Sequence, residues 1–279
     1  MKDASLEYKG KSKDVYALPN GNVLLVFGDG FTGTDGKEDP GGNTNIGTKA
    51  GLGRKNLEVS AFLYDLIQKN LGIPTQNVAV DLQNCMLEAR RAKTLGKGMT
   101  FQVGGKNFVG EGLEFISRNK AWGSFLKRNP EVKQGEPMTE KNGLPFVEVS
   151  VKSDEANDPF FTREQFIASG CVSGEDFDQA VLYTKQITKY LTELFAKGDM
   201  ELVDMKMEFG KDNKGNLILT DEISAGSLRA LSQGESVSKD EIHKRIMELE
   251  NKKRRLKNET TSHSSHGKRQ RPGRNVGGD

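Results

Sequence analysis

The chain has 279 residues, enough for one large domain or two packed lobes, and a formal net charge of +2. It contains no apolar run of roughly 18 residues, so we expect no membrane-spanning helix. Its two cysteines, Cys85 and Cys171, lack metal-ligand spacing, which favours a reducing, cytoplasmic compartment.

All three histidines lie beyond residue 240, so a Ser-His-Asp triad or a His-ligated zinc site is excluded from the body unless the C-terminal segment reaches back. Chemistry there must rest on Lys, Arg, Asp and Glu, the groups that handle nucleotides and phosphates.

The first half of the chain is predicted to be mostly β. Two strands, around Leu6–Tyr16 and Val23–Phe27, are joined by a turn. A Gly/Asp/Thr-rich segment follows over 28–53, and a loop of that length is usually functional or mobile. A helical period then runs over Leu57–Asn70. Short strands come next, near 77–89, 99–103, 107–109 and 112–117.

The second half mixes helices and strands. Ser173 and Asp176 form a capping pattern that begins a helix with a continuous apolar face, and the helix ends before Gly198. A hairpin over 201–222 and a last helix over 239–257 follow.

These elements predict an α+β fold in which a ligand cleft lies between a β-rich N-terminal lobe (1–117) and a mixed α/β C-terminal lobe (118–249). The remaining residues, 250–279, hold nine Lys/Arg, three acidic residues and almost no large apolar ones. We therefore expect them to form a disordered tail. A basic segment of this kind is also typical of contact with nucleic acid or another polyanion, and a merely solubilising tail is the alternative.

The hairpin over 201–222 alternates apolar and charged side chains. Because successive side chains of a strand point to opposite faces, Asp204, Lys206 and Glu208 share a polar face, and we expect Asp221 and Glu222 to lie near them. Carboxylates are hard oxygen ligands for Mg²⁺, and a lysine is a point charge for phosphate. One interpretation is therefore a Mg²⁺–phosphate site, and the other is the solvated face of an edge hairpin.

Three further segments concentrate charge. Lysines alternate along residues 8–16 beside a glycine, without the Walker A pattern, and a lysine-rich edge strand is the alternative. Residues 117–128 set basic side chains around a Gly-Ser turn, which is typical either of an anion site or of a basic surface turn. In residues 151–159 a lysine is followed by several carboxylates at the end of a strand-like run.

Short motifs cover about residues 7–230, and although each is weak alone, their order is specific. They are YKGKSKDVY (8–16), GRKN followed by SAF (53–62), GIPTQ (72–76), EFISRNKAWGS (114–124), VKSDEANDP (151–159), ELVDMKMEFG (201–210) and LTDEISAGSLR (219–229). In this order they resemble the motifs of the SAICAR synthetase family of purine biosynthesis. The resemblance implies a two-lobed SAICAR synthetase-like fold with an ATP cleft between the lobes.

The resemblance also implies an ATP-dependent ligase that uses Mg²⁺. ATP would activate the carboxylate of carboxyaminoimidazole ribonucleotide as an acyl phosphate, and the amine of L-aspartate would displace phosphate to give SAICAR, ADP and phosphate. The residues that match the family's motifs are Lys13 and Lys206 for catalysis; Lys11, Lys13, Glu114, Lys152, Glu208 and Asp221 for ATP; Glu208 and Asp221 for the metal; and Arg118, Ser124, Asp154 and Arg229 for the ribonucleotide.

Several positions depart from the family's pattern, mostly on the substrate side. Gly226 and Gly30 stand where aspartates are expected, Ala225 where a proline is usual and Leu52 where a lysine is usual. These departures leave two alternatives open. One is a paralogue that uses Mg-ATP on a different phosphate-bearing acceptor, and the other is a non-catalytic nucleotide-binding protein whose tail binds nucleic acid. The sequence also leaves open whether the chain forms a homo-oligomer.

Overall fold

The computed structural model describes residues 4–34, 36–38 and 44–266 of the chain. The first half contains β1 (Ser5–Lys9), β2 (Lys13–Ala17), β3 (Val23–Phe27), β4 (Gly30–Thr34), β5 (Lys37–Glu38), β6 (Thr44–Thr48), α1 (Leu52–Leu71), β7 (Asn77–Asp81), β8 (Met86–Ala89), β9 (Ala92–Thr94), β10 (Thr100–Val103), β11 (Lys106–Val109) and β12 (Leu113–Arg118). The second half contains α2 (Ser124–Arg128), β13 (Phe146–Val151), a 3₁₀ turn (Asp154–Ala156), α3 (Arg163–Ala168), α4 (Gly174–Ala196), β14 (Glu201–Asp212), β15 (Leu217–Thr220), β16 (Leu228–Ser232), β17 (Glu235–Ser236) and α5 (Lys239–His266).

Two antiparallel sheets form the frame of the molecule. The first has the strand order β1-β2-β3-β8-β7. The second has the order β13-β12-β14-β16-β17, and β9 and β15 also pair with the long strand β14. A small sheet, β5-β4-β6, and the hairpin β10-β11 are separate from both. Antiparallel sheets with segregated helices make this an α+β fold, as predicted.

Strand β14 is the centre of the second sheet. One of its faces, which includes Met207 and Phe209, is buried beneath α4, and the Phe209 ring contacts Phe115 of β12 at 5.3 Å. Asp204 and Glu208 on the other face are also nearly buried. The alternative of a solvated edge hairpin is therefore wrong, because β14 pairs with strands along both of its edges.

Helix α1 joins the two sheets. Leu57 packs in a small core with Leu25 and Phe27 of β3, whereas Leu63 and Ile67 lie in the main core with the second sheet. The helix therefore buries side chains against both sheets, and the N-terminal end of β2, which pairs with the C-terminal end of β3, lies close to the loops of the second sheet. The predicted helical period accounts for both sets of contacts.

The described part of the segment over 28–53 contains three short strands that the sequence did not predict. It contains β4, β5 and β6, which pair through their backbones although the Gly/Thr-rich sequence lacks an apolar alternation. Helix α1 begins at Leu52, five residues before the predicted start. The carboxylate of Asp29 accepts hydrogen bonds from the backbone N–H groups of Gly51 (3.0 Å) and Gly53 (2.9 Å) at that helix end. A cap supplied from more than twenty residues away leaves no local sequence signal.

Two predicted boundaries differ from those of the structure. Strands β9 and β12 pair with β14, so the division between residues 117 and 118 does not coincide with the division between the sheets. Helix α5 runs to His266, past residue 250, where the disordered tail was expected to begin. Ile242 and Ile246 anchor this helix in the main core, and the Glu, Lys, Arg and Leu residues after them have high helix propensity.

The rest of the predicted tail, 267–279, lies outside the described residues. Among the residues that are described, no helix has the length and apolar content needed to cross a bilayer.

Candidate active site

Two lysines of the first sheet reach loops of the second. Lys13, at the start of β2, donates hydrogen bonds to Asp221 and, at 2.9 Å, to Glu222 in the loop after β15. Lys11, in the turn between β1 and β2, donates to Asp154 at 2.6 Å in the 3₁₀ turn after β13. These ion pairs connect the two sheets, and they bring together the carboxylate–lysine stretches that the sequence contains at 151–159 and 201–222.

Asp221 is held from its backbone side. Its φ angle is 60°, a left-handed conformation that aspartate tolerates better than most residues. Its carbonyl oxygen accepts hydrogen bonds from the hydroxyl of Tyr64 and, at 2.8 Å, from the side-chain amide of Gln76. These two buried donors fix the loop, and the carboxylate of Asp221 is thereby directed at Lys13. Sequence reasoning assigned no role to Tyr64 or Gln76, although Gln76 ends the GIPTQ motif.

Two more ion pairs lie on the second sheet itself. Lys152 donates to Glu208 at 2.7 Å, and Lys206 donates to Glu114 at 2.6 Å. Glu114 and Glu208 are directly opposite each other in the β12–β14 ladder, where like charges destabilise a sheet. Each lysine offsets one of these charges, and the hydroxyl of Ser150 donates a further hydrogen bond to Glu114 at 3.2 Å.

The charges in this lysine–carboxylate cluster influence one another. Burial raises the pKa of Glu208, an effect that the Lys152 charge opposes and the Asp221 charge reinforces. The Glu208 charge raises the pKa of Lys152 well above its ordinary value. Burial also acts to raise the pKa of Asp221, but the charges of Lys13 and Lys152 outweigh it and hold that pKa below its ordinary value. Burial acts to lower the pKa of Lys13, but the carboxylates beside it raise that pKa instead. At neutral pH both lysines are therefore protonated and Asp221 is ionised.

An arginine cluster lies farther along the same face of β14. Asp204 accepts hydrogen bonds from Arg118 at 2.9 Å and from Arg229 at 2.8 Å. Arg118 is only 1% exposed, and it also donates to Glu148 at 2.7 Å and to the hydroxyl of Ser124 at 3.3 Å. Buried guanidinium groups need such partners, because an unpaired buried charge is costly.

The expected convergence of Asp204 with Asp221 is not found. Glu208 of β14 pairs with Thr220 of β15, so the chain leaves this ladder at Asp221, beside the middle of β14, and the carboxylate of Asp221 binds Lys13. Asp204 lies instead across from Arg229 in the β14–β16 ladder. The polar face of β14 is therefore divided between two clusters. The sequence did not predict this division, because the register of the hairpin could not be derived from it.

Two of the departures from the family's pattern, Ala225 and Gly226, lie in the loop before β16, the strand that contains Arg229. Ala225, Trp122 and Arg229 line a cavity of about 350 Å³. A Cβ atom added to Gly226 would lie 3.2 Å from the hydroxyl oxygen of Ser224 and 3.4 Å from a carboxylate oxygen of Glu222, so the Ser224 side chain must shift slightly to admit a larger residue.

The structure therefore places every predicted site residue in one of the two clusters, and it adds Tyr64, Gln76 and Glu148 to their surroundings. The lysine–carboxylate cluster contains Lys11, Lys13, Glu114, Lys152, Asp154, Lys206, Glu208 and Asp221, and the arginine cluster contains Arg118, Ser124 and Arg229.

Fold and site together define a class of α+β proteins in which lysine–carboxylate pairs connect two antiparallel sheets. The family model for SAICAR synthetase matches residues 6–262, and the chain belongs to the SAICAR synthetase family.

Relatives and solved structures agree with this assignment and confirm the predicted SAICAR synthetase-like fold. A phosphoribosylaminoimidazole-succinocarboxamide synthase of Clostridium tetani is 34% identical, over 86% of this chain and 98% of its own. A solved SAICAR synthetase (Type-2) in complex with ADP is 26% identical with a TM-score of 0.71, covering 87% of this chain and 96% of its own. The phosphoribosylaminoimidazole-succinocarboxamide synthase of Ehrlichia chaffeensis is 25% identical with a TM-score of 0.69, covering 89% and 98%.

Proposed function

We propose that this chain is an ATP-dependent carbon–nitrogen ligase, a phosphoribosylaminoimidazole-succinocarboxamide synthase. It would transfer the γ-phosphoryl group of ATP to the carboxylate of carboxyaminoimidazole ribonucleotide, giving an acyl phosphate and ADP. The amine of L-aspartate would then attack the acyl carbon and displace phosphate, giving SAICAR. Membership of the SAICAR synthetase family supports this proposal, as does the complex of one similar structure with ADP.

The observation that carries the proposal is the lysine–carboxylate cluster between the two sheets. Phosphoryl transfer requires positioning and neutralisation of charge more than it requires covalent chemistry from the protein. Four lysines from both sheets meet there, and a lysine ammonium group is a point charge of the kind that binds phosphate oxygens. In the proposal, Lys11 and Lys152 bind the nucleotide, and Lys13 and Lys206 neutralise the charge on the transferred phosphoryl group.

Two carboxylates in this cluster have the chemistry that Mg²⁺ prefers. Mg²⁺ usually takes one or two protein carboxylates and completes its shell with phosphate oxygens and water. Glu208 and Asp221 fit that pattern, since each is a hard oxygen donor beside a lysine that suits phosphate. When bound, Mg²⁺ would neutralise charge on the phosphate oxygens. Glu114 would orient Lys206, with which it forms a hydrogen bond.

The arginine cluster is the proposed site for the ribonucleotide. Arg118 and Arg229 converge on one carboxylate of Asp204, and Ser124 begins α2 beside them. Guanidinium groups match phosphate geometry, so the exposed edge of this cluster suits the phosphate of the substrate. Asp154 would contact the nucleotide or ribose from its position beside Lys11. Because both clusters lie on one face of β14, the acceptor and ATP would be bound next to each other.

One observation favours a second candidate, in which the same Mg-ATP site serves a different phosphate-bearing acceptor. Gly226 and Ala225 replace an aspartate and a proline of the family's pattern, and Ala225 lines the cavity beside Arg229. A glycine offers no carboxylate to accept hydrogen bonds from an amine or a ribose hydroxyl. The change therefore affects recognition of the acceptor and leaves the lysine–carboxylate cluster unaltered.

A coupled ADP-release assay with product identification tests both candidates. With carboxyaminoimidazole ribonucleotide and Mg-ATP, the first candidate predicts that L-aspartate triggers stoichiometric formation of SAICAR and ADP. The second predicts no SAICAR under those conditions and ADP release only with another acceptor. ATP binding without turnover on any acceptor, with salt-sensitive binding of nucleic acid, would support the non-catalytic alternative instead. Whether the chain forms a homo-oligomer stays a prediction that sedimentation would settle.

A further inference from the structure

The lysines of the lysine–carboxylate cluster are already engaged. Lys152 is bound to Glu208 at 2.7 Å, and Lys206 to Glu114 at 2.6 Å. Lys13 is bound to Asp221 and to Glu222 at 2.9 Å. A polyanion that enters this site must therefore compete with carboxylates for each of these amines.

The carboxylates suited to Mg²⁺ are the partners of two of these lysines. Glu208 holds Lys152, and Asp221 holds Lys13. A carboxylate that binds a divalent cation interacts less strongly with a neighbouring amine, because much of its charge is neutralised. Binding of the cation at Glu208 and Asp221 therefore weakens the two ion pairs that keep the lysines from a phosphate.

We propose that nucleotide binding proceeds by partner exchange, in which Glu208 and Asp221 give up Lys152 and Lys13 to bind Mg²⁺ and the two lysines turn to the phosphates. This inference rests on the proposed function and adds a mechanism by which the metal and the nucleotide assist each other. Without the cation, the carboxylates retain the lysines and the site disfavours ATP.

The two lysines differ in how far the exchange releases them. Lys13 keeps a second carboxylate, because Glu222 remains beside it and is itself held by the hydroxyl of Ser224 at 3.2 Å. Lys152 donates its hydrogen bond to Glu208, and the Glu208 charge is the largest influence on the pKa of Lys152. Lys152 therefore gains most from the exchange, and it is the residue on which to test it.

The test is titration calorimetry of ATP on the full chain, with excess Mg²⁺ and separately with a chelator. In Mg²⁺, Lys152→Met is expected to weaken ATP binding by about 10-fold or more, the scale of a charge-assisted phosphate contact. Without divalent cations the same substitution should change the affinity for ATP by less than about 3-fold, because Lys152 is then bound to Glu208 and not to a phosphate. Lys211→Met is the matched control, since Lys211 forms an ion pair with Asp176 at 3.0 Å outside the cluster and should leave both affinities unchanged.

A second variant tests whether Glu208, the ion-pair partner of Lys152, keeps this lysine from ATP when no metal is present. Glu208→Gln should tighten metal-free binding of ATP about 5-fold or more, and this gain should disappear in the Glu208→Gln/Lys152→Met double variant. Equal weakening by Lys152→Met with and without Mg²⁺ would overturn partner exchange while leaving the proposed function in place. A gain that survives in the double variant would also overturn it, because loss of negative charge alone would then explain the result. If the wild-type chain binds no ATP even in Mg²⁺, the proposed function fails and partner exchange fails with it.

Discussion

Replacement of Asp204 by asparagine removes the carboxylate that joins the two arginines of the arginine cluster. One of its oxygens accepts hydrogen bonds from Arg118 at 2.9 Å and from Arg229 at 2.8 Å, and the side chain is 2% exposed. Hydrogen bonds to charged groups contribute about 1.5–3 kcal/mol each, roughly twice the value of neutral ones. Asparagine keeps an oxygen acceptor without the charge, so about half of two such bonds, roughly 1.5–3 kcal/mol, is lost.

The remaining contacts of Arg118 limit this loss of stability. Glu148 still pairs with Arg118, which keeps the loss at or below the lower end of the roughly 3–5 kcal/mol that breaking a buried ion pair costs. For a chain of this size, roughly 1.5–3 kcal/mol corresponds to a fall in melting temperature of roughly 3–12 °C. Calorimetry or circular dichroism at neutral pH measures this change.

The chain provides a matched control for the same chemical change. Asp178 forms a two-point ion pair with Arg163 at 2.6 Å, but both side chains are largely exposed to water. Asp178→Asn should therefore leave the melting temperature almost unchanged, since water and salt screen exposed pairs. A fall in the Asp178→Asn variant as large as that in Asp204→Asn, or no fall in either, would refute the argument that burial gives the arginine cluster its contribution to stability.

Four further predictions concern the metal, the acceptor, the last helix and pH. Asp221→Asn should reduce Mg²⁺-dependent ADP release by about 10²-fold or more without unfolding the chain, and wild-type turnover would contradict the metal assignment. Gly226→Asp should lower the KM for carboxyaminoimidazole ribonucleotide by roughly 5- to 150-fold if the acceptor is the family's, with ATP affinity unchanged; an unchanged or higher KM would favour a different acceptor. A chain truncated after residue 250 keeps the buried anchors of α5 and should retain ADP release, so loss of turnover in a folded truncated chain would place the removed segment in the site. Hydrogen bonds from Lys49 and a second lysine lower the pKa of Asp240 to about 2, so its contribution to stability is present above about pH 4 and is lost as the pH falls toward 2. Unfolding free energies of wild type and Asp240→Asn should therefore approach each other as the pH falls toward 2, and a difference as large at pH 2 as at neutral pH would contradict this.

Local patterns predicted the elements of the second lobe well. The capping pattern at Ser173 begins α4, and β14 and β15 form the hairpin predicted over 201–222. Both signals act within a few residues, and tertiary structure does not override them here. The α+β class follows from such elements alone.

Contacts between distant segments could not be predicted in the same way. The cap that Asp29 supplies to α1 and the two hydrogen bonds that hold the carbonyl of Asp221 join residues far apart in the chain. The sheet to which β12 belongs depends on its pairing with β13 and β14, which lie later in the chain. Composition and periodicity describe one segment at a time, so they contain no information on these partners.

The polar face of β14 shows how far the sequence can predict the roles of individual side chains. Alternation alone places Asp204 and Glu208 on the same face, and from the sequence they are equivalent acidic groups near a lysine. The ladders make them different: Asp204 lies across from Arg229, and Glu208 lies across from Glu114 with Lys152 bound to it. The first carboxylate is neutralised by two guanidinium groups, whereas the second has a pKa raised by burial and binds the amine of Lys152. The spacing of residues thus determines which side chains share a face, and strand register determines which of them are available to bind a ligand.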